Sequence, residues 1–540
     1  MKLVLIQPPV QDFYDTSIRL QPLGLAYLKA AVKKHLPEVE VVIRDFHQGW
    51  GKRTISLPKE LSYLEDYYPC PDQSPFSLFH HYYHFGASFE TIAQQVAIEK
   101  PDLVGISSLF SPYYREVLQC AEAIKRKLSC PVVIGGSHAS AVPQLMLEHP
   151  AVDWVIQGEG ERPLVKLIKA RQEGRGFEQI PGLGYKQGGR MILNLPGDPY
   201  PIEELPFPDF SDLAQESYCF EKRPLCFIIT SRGCPHGCSF CSVHRTFPRY
   251  RRRSSQDVFE EIVHRYQQGY RVFDFEDDNL TYDQEEMKTL CQKLSRAFPS
   301  DEVRFLAMNG ISSQSLDSEL LQMMRKAGFT QLNLSLVSSD SEVLKKTHRL
   351  EGINQYLNVV SEASQLGFMI VSYQILGLPD ESLDSMIRTL CLNSQLPVLL
   401  GASVFYLTPN TPLAEKFPKP TEEDILKARL TALAIETDHF KRDDIYTLFI
   451  ATRIVNFFKG LPFDENRITF GQALSTARSR GKRSATGVEL FEKLFSEGRL
   501  YAATGEGRKP LSRFNSKLFF EFWSRLDHIK TREGKLIRIR

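Results

Sequence analysis

Three of the ten cysteines lie within eight residues of one segment, TSRGCPHGCSFCSVHRTF. Cys234, Cys238 and Cys241 have the spacing C-x3-C-x2-C. Thiolates are soft ligands that select zinc, copper(I) or iron-sulfur clusters, and a structural zinc or a fully ligated cluster takes four protein ligands. A zinc site would need a distant fourth ligand, for which His236 and His244 are near, but zinc sites usually pair two cysteine knuckles and the sequence has only one. The spacing therefore favours a cluster with one incompletely ligated iron.

The elements around this segment alternate between strand and helix patterns. In residues 223–415, six apolar runs are typical of strands: LCFIIT, VFDFED, VRFLAM, LNLSLV, IVSYQIL and ASVFYL. Helical patterns such as VFEEIVHRYQQ and DSELLQMMRKAG lie between them. Six strand-helix units predict a partial (β/α)6 barrel, in which chemistry takes place at the carboxyl ends of the strands. The three cysteines directly follow the first of these strands.

A second α/β region precedes the barrel. In residues 1–170 the runs KLVLIQ, VEVVIRD, DLVGISS, PVVIGG and DWVIQG alternate with amphipathic helical stretches. This pattern predicts a doubly wound, flavodoxin-like parallel sheet with ligands at its carboxyl edge. Residues 171–222 are rich in proline and glycine and are predicted to be a linker rather than packed secondary structure. Residues 416–540 are predicted to be a mostly helical C-terminal region that opens at the box-like TEED.

The composition excludes some classes of function. The 540 residues include 66 basic and 65 acidic side chains, so no bulk charge favours binding to nucleic acid or membranes. No apolar run is long enough for a secretory signal or a transmembrane segment. We therefore expect a cytoplasmic, reducing environment, in which Cys120 and Cys291 are small core residues.

The cysteine motif, with Phe240 just before the third cysteine, resembles the signature of radical S-adenosylmethionine (SAM) enzymes. The resemblance implies a four-iron four-sulfur cluster held by Cys234, Cys238 and Cys241. In that family the amino and carboxylate groups of SAM occupy the fourth iron, which accounts for the missing protein ligand.

Further motifs of the same family follow along the barrel. FEDDNLT resembles the acidic motif that holds the SAM amino group, although a strand-end turn with a helix cap is the plain alternative. MNG occupies the position at which the family contacts the SAM carboxylate or ribose, and QILGLP occupies the position at which it approaches the adenine. Val337 departs from the family, since many relatives have glutamate there; two serines are the substitutes. The implied SAM-binding residues are Phe240, Asp277, Asp278, Asn279, Asn309, Ser335, Ser338, Gln374 and Gly377.

The amino-terminal sheet resembles that of the cobalamin-binding branch of the superfamily, through S-x-L after the third strand and G-G after the fourth. The implied cobalamin-binding residues are Ser107, Ser108, Leu109, Gly135, Gly136, Ser137, Gly158 and Glu159. The family's D-x-H-x-x-G motif is missing, because the loop QPPVQDFYDTSIRLQPLG contains no histidine and His47 follows the second strand. The resemblance therefore implies cobalamin bound base-off, without a histidine axial ligand.

Two other segments have plainer interpretations. The basic run RYRRRSS directly precedes a helical pattern in which Ser254 and Asp257 form a plausible capping box, so a structural or anion-binding role is favoured over nucleic-acid binding. The aromatic insertion YYPCPDQSPFSLFHHYYHFG is predicted to pack over the cofactor or a domain interface rather than to bind a metal through His80 and His84.

The resemblance implies an enzyme that reductively cleaves SAM to a 5'-deoxyadenosyl radical and transfers a methyl group from methylcobalamin to an unactivated substrate carbon. One alternative uses the radical for cyclisation or oxidation, as in the anaerobic magnesium-protoporphyrin monomethyl ester cyclase. Another is a cobalamin-binding sensor with a structural cluster, for which Cys226 or Cys219 would be the fourth ligand. The expected partners are a small-molecule, lipid, tetrapyrrole-like or peptide substrate and an electron donor of the flavodoxin or ferredoxin type. The sequence leaves the catalytic residues and the substrate unassigned.

Overall fold

The computed structural model describes residues 1–14, 20–299, 302–349 and 352–540, and the chain divides into two compact units. The first unit consists of Met1–Ser56, Tyr82–Asp278 and Thr408–Leu426. The second consists of Leu57–His81, Asn279–Leu407 and Lys427–Arg540. This division differs from the boundaries predicted at residues 170, 222 and 415, which follow the order of motifs along the chain. The cysteine segment shares the first unit with the amino-terminal sheet.

The strands are β1 (Lys2–Gln7), β2 (Val10–Asp12), β3 (Glu40–Asp45), β4 (Lys52–Thr54), β5 (Tyr83–Phe85), β6 (Leu103–Ser107), β7 (Val132–Gly135), β8 (Trp154–Ile156), β9 (Leu183–Gln187), β10 (Arg190–Leu193), β11 (Cys219–Phe220), β12 (Arg223–Ile228), β13 (Ser231–Arg232), β14 (Arg251–Arg252), β15 (Val272–Phe275), β16 (Arg304–Leu306), β17 (Gln331–Val337), β18 (Met369–Leu376), β19 (Leu399–Val404), β20 (Arg467–Thr469), β21 (Tyr501–Thr504), β22 (Gly507–Pro510), β23 (His528–Lys530) and β24 (Leu536–Arg538).

The α-helices are α1 (Leu23–His35), α2 (Phe89–Glu99), α3 (Tyr114–Lys127), α4 (Ser137–Ala141), α5 (Pro143–Glu148), α6 (Glu161–Glu173), α7 (Val243–Thr246), α8 (Ser255–Gln267), α9 (Gln284–Ala297), α10 (Ser318–Ala327), α11 (Ser341–Lys346), α12 (Ile353–Gln365), α13 (Leu383–Ser394), α14 (Glu422–Leu426), α15 (Arg442–Lys459), α16 (Phe470–Ser479), α17 (Lys482–Glu497) and α18 (Ser516–Ser524).

The amino-terminal sheet has the strand order β10-β9-β8-β7-β6-β1-β3. The five predicted strands, β1, β3, β6, β7 and β8, pair in parallel, which confirms the doubly wound sheet. Its order reverses between β1 and β6, and such a switch point opens a ligand crevice at the carboxyl ends of the strands. The central strands are buried along their length, as expected for a sheet covered on both faces.

The segment expected to be a linker contains part of this sheet. Strand β9 pairs antiparallel with β8, and β10 pairs antiparallel with β9. The prediction that residues 171–222 lack packed secondary structure is therefore wrong for residues 183–193. Gly188 and Gly189, at φ +55° and +75°, form the turn of this hairpin, and left-handed glycines of this kind join two antiparallel strands tightly.

All six predicted barrel strands form, and helices separate them along the chain. In the first unit β12 pairs in parallel with β15. In the second unit β17, β18 and β19 form a parallel sheet. The last strand, β19, begins at Leu399 rather than at the predicted residue 402, because the buried apolar run already starts at Val398.

The aromatic insertion packs on the helical C-terminal region within the second unit. The ring of Phe76 lies 5.6 Å from that of Phe457 in an edge-to-face arrangement, and the Tyr68 hydroxyl donates to the Thr431 carbonyl at 2.8 Å. The insertion therefore completes the core of this region. Among the described residues, no helix has the length and hydrophobicity that a membrane span requires.

Candidate functional site

The three cysteines lie on the loop that follows β13, near the carboxyl end of the first barrel strand, β12. Cys238 is buried, and Cys234 and Cys241 are half-buried. Burial raises the pKa of the Cys241 thiol to about 11, and the neighbouring thiols add to the shift. Three thiolates this close need a compensating cation such as cluster iron. In the described residues no group of three or more His, Cys, Asp or Glu side chains is arranged around a single ion.

Asp277, one of three acidic residues that follow β15, is a structural latch that holds two strand ends together. It is buried, and it accepts hydrogen bonds from the Thr230 backbone N–H, the Thr230 hydroxyl at 2.7 Å and the Ser231 hydroxyl at 2.5 Å. These bonds join the carboxyl ends of the first two barrel strands directly before the cysteine loop. Asp277 was predicted to contact SAM, but its carboxylate is already occupied by three protein donors.

Asp278 is the acidic residue that borders the cysteine loop. Its side chain is exposed and accepts from the Gly233 backbone N–H at 3.2 Å. Desolvation by the surrounding protein and the charge of Asp277 raise the pKa of Asp278 to about 6. Gly233 has φ +84°, and a Cβ there would lie 2.7 Å from the Arg249 carbonyl oxygen, so only glycine allows this loop to pass so close. Of the two aspartates, Asp278 is the better candidate for a cationic ligand group.

The MNG turn lies in the second unit over two side chains that sequence reasoning missed. Gly310 has φ +100°, and a Cβ there would lie 3.3 Å from the Tyr373 ring and 3.5 Å from the Ser335 Cβ. The Tyr373 hydroxyl donates to the Met308 carbonyl at 3.0 Å and accepts from the Asn333 amide at 2.8 Å. Asn309 is exposed at this turn. The residues around this turn, Asn333, Ser335 and Tyr373, occupy alternate positions of β17 and β18. In the sequence, only that alternation could have identified Asn333 and Tyr373, the two residues that were missed.

The end of β17 carries a strained turn at the position where the family often has glutamate. Val337 has φ +67°, and the Ser338 N–H donates to the Leu336 carbonyl at 2.9 Å. This is a γ-turn with the rare positive φ at a β-branched residue. The Ser338 hydroxyl donates to Glu381 at 2.8 Å, and both side chains are buried. Ser338 therefore supports the turn from the helix side, whereas Ser335 stands by the MNG turn.

Three further residues that were predicted to bind SAM are surrounded by other parts of the protein. Asn279 is buried directly after the acidic pair. The Gln374 amide donates to the Met386 backbone carbonyl of α13 at 3.1 Å, so its side chain packs against a helix. Gly377 has φ +89°, and a Cβ there would lie 3.3 Å from Ile445 of α15. The half-buried Phe240 lies in the cysteine loop itself.

The predicted cobalamin-binding residues meet at the carboxyl ends of β6, β7 and β8. Gly136 has φ +116°, and a Cβ there would lie 2.6 Å from the Ser108 carbonyl oxygen, so two strand ends approach as only glycine permits. The Ser108 hydroxyl is buried and has no hydrogen-bond partner among the described residues. Leu109 and Phe110, which follow it, are 43% and 41% exposed. These strand ends therefore combine small residues, an unsatisfied hydroxyl and exposed apolar side chains. Such a surface suits a large ligand with polar groups.

His138 is a further residue at this edge that sequence reasoning missed. Its Nδ1 lies 3.0 Å from the Ser111 hydroxyl, and its buried Nε2 has no partner in the described part of the chain. Burial lowers the pKa of His138 to about 4, so the ring is neutral at pH 7. Its position, three residues after Gly135, was the available signal. Ser107, Gly135 and Ser137 are half-buried at the same strand ends.

The end of β8 is tied to the cysteine loop by buried ion pairs. The Arg232 guanidinium donates to Glu159 at 2.7 Å and to Glu161 at 2.5 Å, and Arg251 also pairs with Glu159. Gly158 has φ +73° and approaches the Thr246 carbonyl of α7. Glu159 was predicted to bind cobalamin, but here its carboxylate joins two segments of the first unit.

The basic run around Arg253 is structural, as the sequence favoured. Arg253 is buried and pairs with Glu261 at 2.5 Å and Asp257 at 2.6 Å. The Ser254 hydroxyl accepts from the Asp257 N–H at 3.2 Å and caps α8. Two other predictions also hold, since Cys120 and Cys291 are buried core residues.

Comparison with known proteins identifies both regions. Residues 228–391 match the family model of the radical SAM superfamily, and residues 79–168 match that of the B12 binding domain. The chain is 26% identical to an uncharacterized methyltransferase of Pyrococcus horikoshii, over 74% of this chain and 79% of that protein. It is 25% identical to the cytidylyl-2-hydroxyethylphosphonate methyltransferase of Streptomyces wedmorensis, over 70% and 73%. It is 26% identical to the anaerobic magnesium-protoporphyrin IX monomethyl ester cyclase of Rubrivivax gelatinosus, over 56% of each chain.

Two solved structures share the fold. The radical SAM methyltransferase TsrM from Kitasatospora setae, with cobalamin and a [4Fe-4S] cluster bound, superposes with a TM-score of 0.57 at 18% identity, over 77% of this chain and 74% of that one. The cobalamin-dependent radical SAM enzyme OxsB, with aqua-cobalamin bound, gives a TM-score of 0.63 at 14% identity, over 97% and 75%. The chain therefore is an enzyme that has a radical SAM domain with a B12-binding domain ahead of it.

Proposed function

We propose that this chain is a cobalamin-dependent radical SAM enzyme that methylates an unactivated carbon of its substrate. The observation that carries the proposal is that one compact unit holds both the three-cysteine loop and the sheet edge suited to cobalamin. Two relatives are named methyltransferases, which favours methyl transfer. The overall balance is one substrate and two SAM, with two electrons from a donor of the flavodoxin or ferredoxin type, giving methylated substrate, S-adenosylhomocysteine, methionine and 5'-deoxyadenosine.

The residues have distinct tasks in this scheme. Cys234, Cys238 and Cys241 hold the cluster, which with SAM and cobalamin supplies the radical and methyl-transfer chemistry. Asp278 accepts a hydrogen bond from the SAM ammonium group beside the loop. Ser108 offers its unsatisfied hydroxyl at the carboxyl ends of β6, β7 and β8, which form the cobalamin edge of the sheet. The SAM and cobalamin contacts predicted for the other residues are part of this proposal, except those of Asp277 and Glu159, whose carboxylates bond to protein donors.

Cobalamin is proposed to bind base-off without a histidine ligand. The loop after β1 contains no histidine; its residues 15–19 lie outside the described residues. His47 is buried, with Nδ1 3.4 Å from the Phe85 carbonyl oxygen and its ring packed on the Phe85 side chain, so its surroundings are those of a core residue. The proposed compartment is cytoplasmic. The relatives act on unlike molecules, so the substrate class is left at a small molecule, lipid, tetrapyrrole or peptide.

The test is an anaerobic reconstitution with iron, sulfide and cobalamin, followed by SAM, a strong reductant and quantification of both SAM products. Formation of S-adenosylhomocysteine that depends on cobalamin, together with 5'-deoxyadenosine, is the expected result. Formation of 5'-deoxyadenosine alone would instead support the second candidate, a cyclase or oxidase, which the similarity to the Rubrivivax gelatinosus cyclase favours.

Cysteine variants make this test specific. Cys238→Ala should lose cluster absorbance and both products. Cys226→Ala is the matched control, because Cys226 is equally buried but lies inside β12; it should keep the cluster. Loss of the cluster in Cys226→Ala would support the sensor alternative with a fourth cysteine ligand. Product formation by Cys238→Ala would refute the radical mechanism.

A further inference from the structure

A buried network of two arginines and two glutamates joins the cysteine loop to the cobalamin edge. Arg232 lies two residues before Cys234, Glu159 lies in the loop after β8, and Glu161 is the first residue of α6. The side chains of Arg232, Glu159 and Glu161 are 10%, 7% and 4% exposed. Arg232 also stacks over the Tyr27 ring, 5.3 Å from its centroid. One guanidinium is thus fixed from three directions.

Such a network is a means of setting geometry rather than of gaining stability. Burying four charges costs desolvation energy that their attraction only partly offsets, so a buried ion pair is weak evidence for stability. Burial opposes ionisation of Glu161, but Arg232 outweighs it and holds the pKa of that carboxyl below its usual value. A planar guanidinium that binds two carboxylates accepts few other arrangements. The pairs therefore restrict where the cysteine loop can begin.

We propose that Arg232 is a positioning residue that couples the position of the cobalamin edge to the position of the cysteine loop. This inference rests on the proposed function, because it requires both groups to be bound. Glu159 also lines a cavity of about 470 Å³ together with Arg162 and Thr246, so the network stands beside space that a ligand can reach. A ligand that fixed the conformation of the loop after β8 would also fix the positions of Glu159 and Glu161. Because Arg232 binds both carboxylates, the ligand would thereby fix the position at which the cysteine loop begins.

The primary readout is hydrogen-deuterium exchange of residues 233–247 in the cluster-loaded chain, with and without hydroxocobalamin. In the parent chain cobalamin should slow exchange in this segment. Arg232→Gln should bind cobalamin within about threefold of the parent affinity, yet lose at least about tenfold of that protection. Its rate of S-adenosylhomocysteine formation should fall by about 100-fold, the effect of a displacement of about 1 Å, with a smaller fall in 5'-deoxyadenosine formation.

Three variants serve as comparisons. Glu161→Gln removes one charge while keeping an acceptor, and should lie between the parent and Arg232→Gln. Arg232→Lys keeps the charge without the forked guanidinium, and should keep the fold but not full protection. Arg265→Gln is the matched control, since Arg265 is also buried and donates to the Pro208 carbonyl from the far end of α8; protection of the cysteine loop should be unchanged. If Arg232→Gln does not fold, the first two variants decide.

The outcomes separate this inference from the proposed function. Parent-like protection and a parent-like product ratio in Arg232→Gln and Glu161→Gln would overturn it, and so would an equal loss in Arg265→Gln. Complete loss of cobalamin binding in Arg232→Gln would make the arginine a binding residue and also overturn it. A parent chain that shows the protection but forms no S-adenosylhomocysteine would instead contradict the proposed methyl transfer.

Discussion

Replacement of Asp277 tests whether this residue is a latch or a SAM ligand. Asp277→Ala removes the acceptor of three buried donors: the Thr230 backbone N–H, the Thr230 hydroxyl and the Ser231 hydroxyl. A buried donor without an acceptor costs about 1–3 kcal/mol, and hydroxyls recover part of this by rotating. We therefore expect the free energy of unfolding of the first unit to fall by roughly 3–5 kcal/mol.

Thermal unfolding of the chain without cofactors measures this cost. For domains of about 150–250 residues, 1 kcal/mol corresponds to about 2–4 °C, so Asp277→Ala should lower the melting temperature of the first unit by roughly 6–20 °C. Hydrogen-deuterium exchange of residues 223–232 identifies the unit that melts. SAM affinity, measured by anaerobic equilibrium dialysis of the protein that still folds, should change little.

Asp278→Ala is the matched control. It removes one hydrogen bond, from the Gly233 N–H at 3.2 Å, on an exposed side chain. We expect a melting temperature within about 2 °C of the parent and a SAM affinity lowered by about tenfold, because a charge-assisted hydrogen bond is lost. An Asp277→Ala chain that melts within about 2 °C of the parent, or an Asp278→Ala chain that melts equally low, would refute the assignment of roles.

Other predictions concern both units. Gly136→Ala places a Cβ 2.6 Å from the Ser108 carbonyl oxygen, so absorbance titration should show weakened cobalamin binding, whereas Gly188→Ala, in open space at φ +55°, should leave binding unchanged. Burial raises the pKa of Glu381 from 4.5 to about 7. The folded chain therefore binds a proton more tightly than the unfolded chain, and its stability falls as the pH rises through this window. In thermal melts, Glu381→Gln should flatten this fall. A parent-like slope would contradict this. Lys459→Met deprives two backbone carbonyls of a donor at 2.6 and 2.7 Å and should cost the second unit about 1–3 kcal/mol in denaturant unfolding.

Features that depend on neighbouring residues were predictable from the sequence. The buried strands are apolar runs whose period survives in any context, and β1 matches its predicted run residue for residue. Helix caps are equally local: the Thr421 hydroxyl accepts from the Asp424 N–H at 3.2 Å, and Asp424 accepts from Thr421 in return. The hairpin of β9 and β10 was missed because proline and glycine dominate its segment, although adjacent Gly188 and Gly189 were a turn signal.

The sequence was sufficient to infer the proposed cluster chemistry, because ligation of such a cluster needs three thiols within one loop and eight residues contain them. It also determined which strand ends carry the candidate residues, since the alternation of strand and helix sets the direction of a parallel sheet. The pairing of polar groups, by contrast, became evident from the folded structure alone. Asp277 reaches Thr230 across 47 residues, and Arg232 reaches Glu159 across 73. Periodicity reports the face on which a side chain lies, but a hydrogen-bond or ion-pair partner depends on which chain ends the folded sheets bring together.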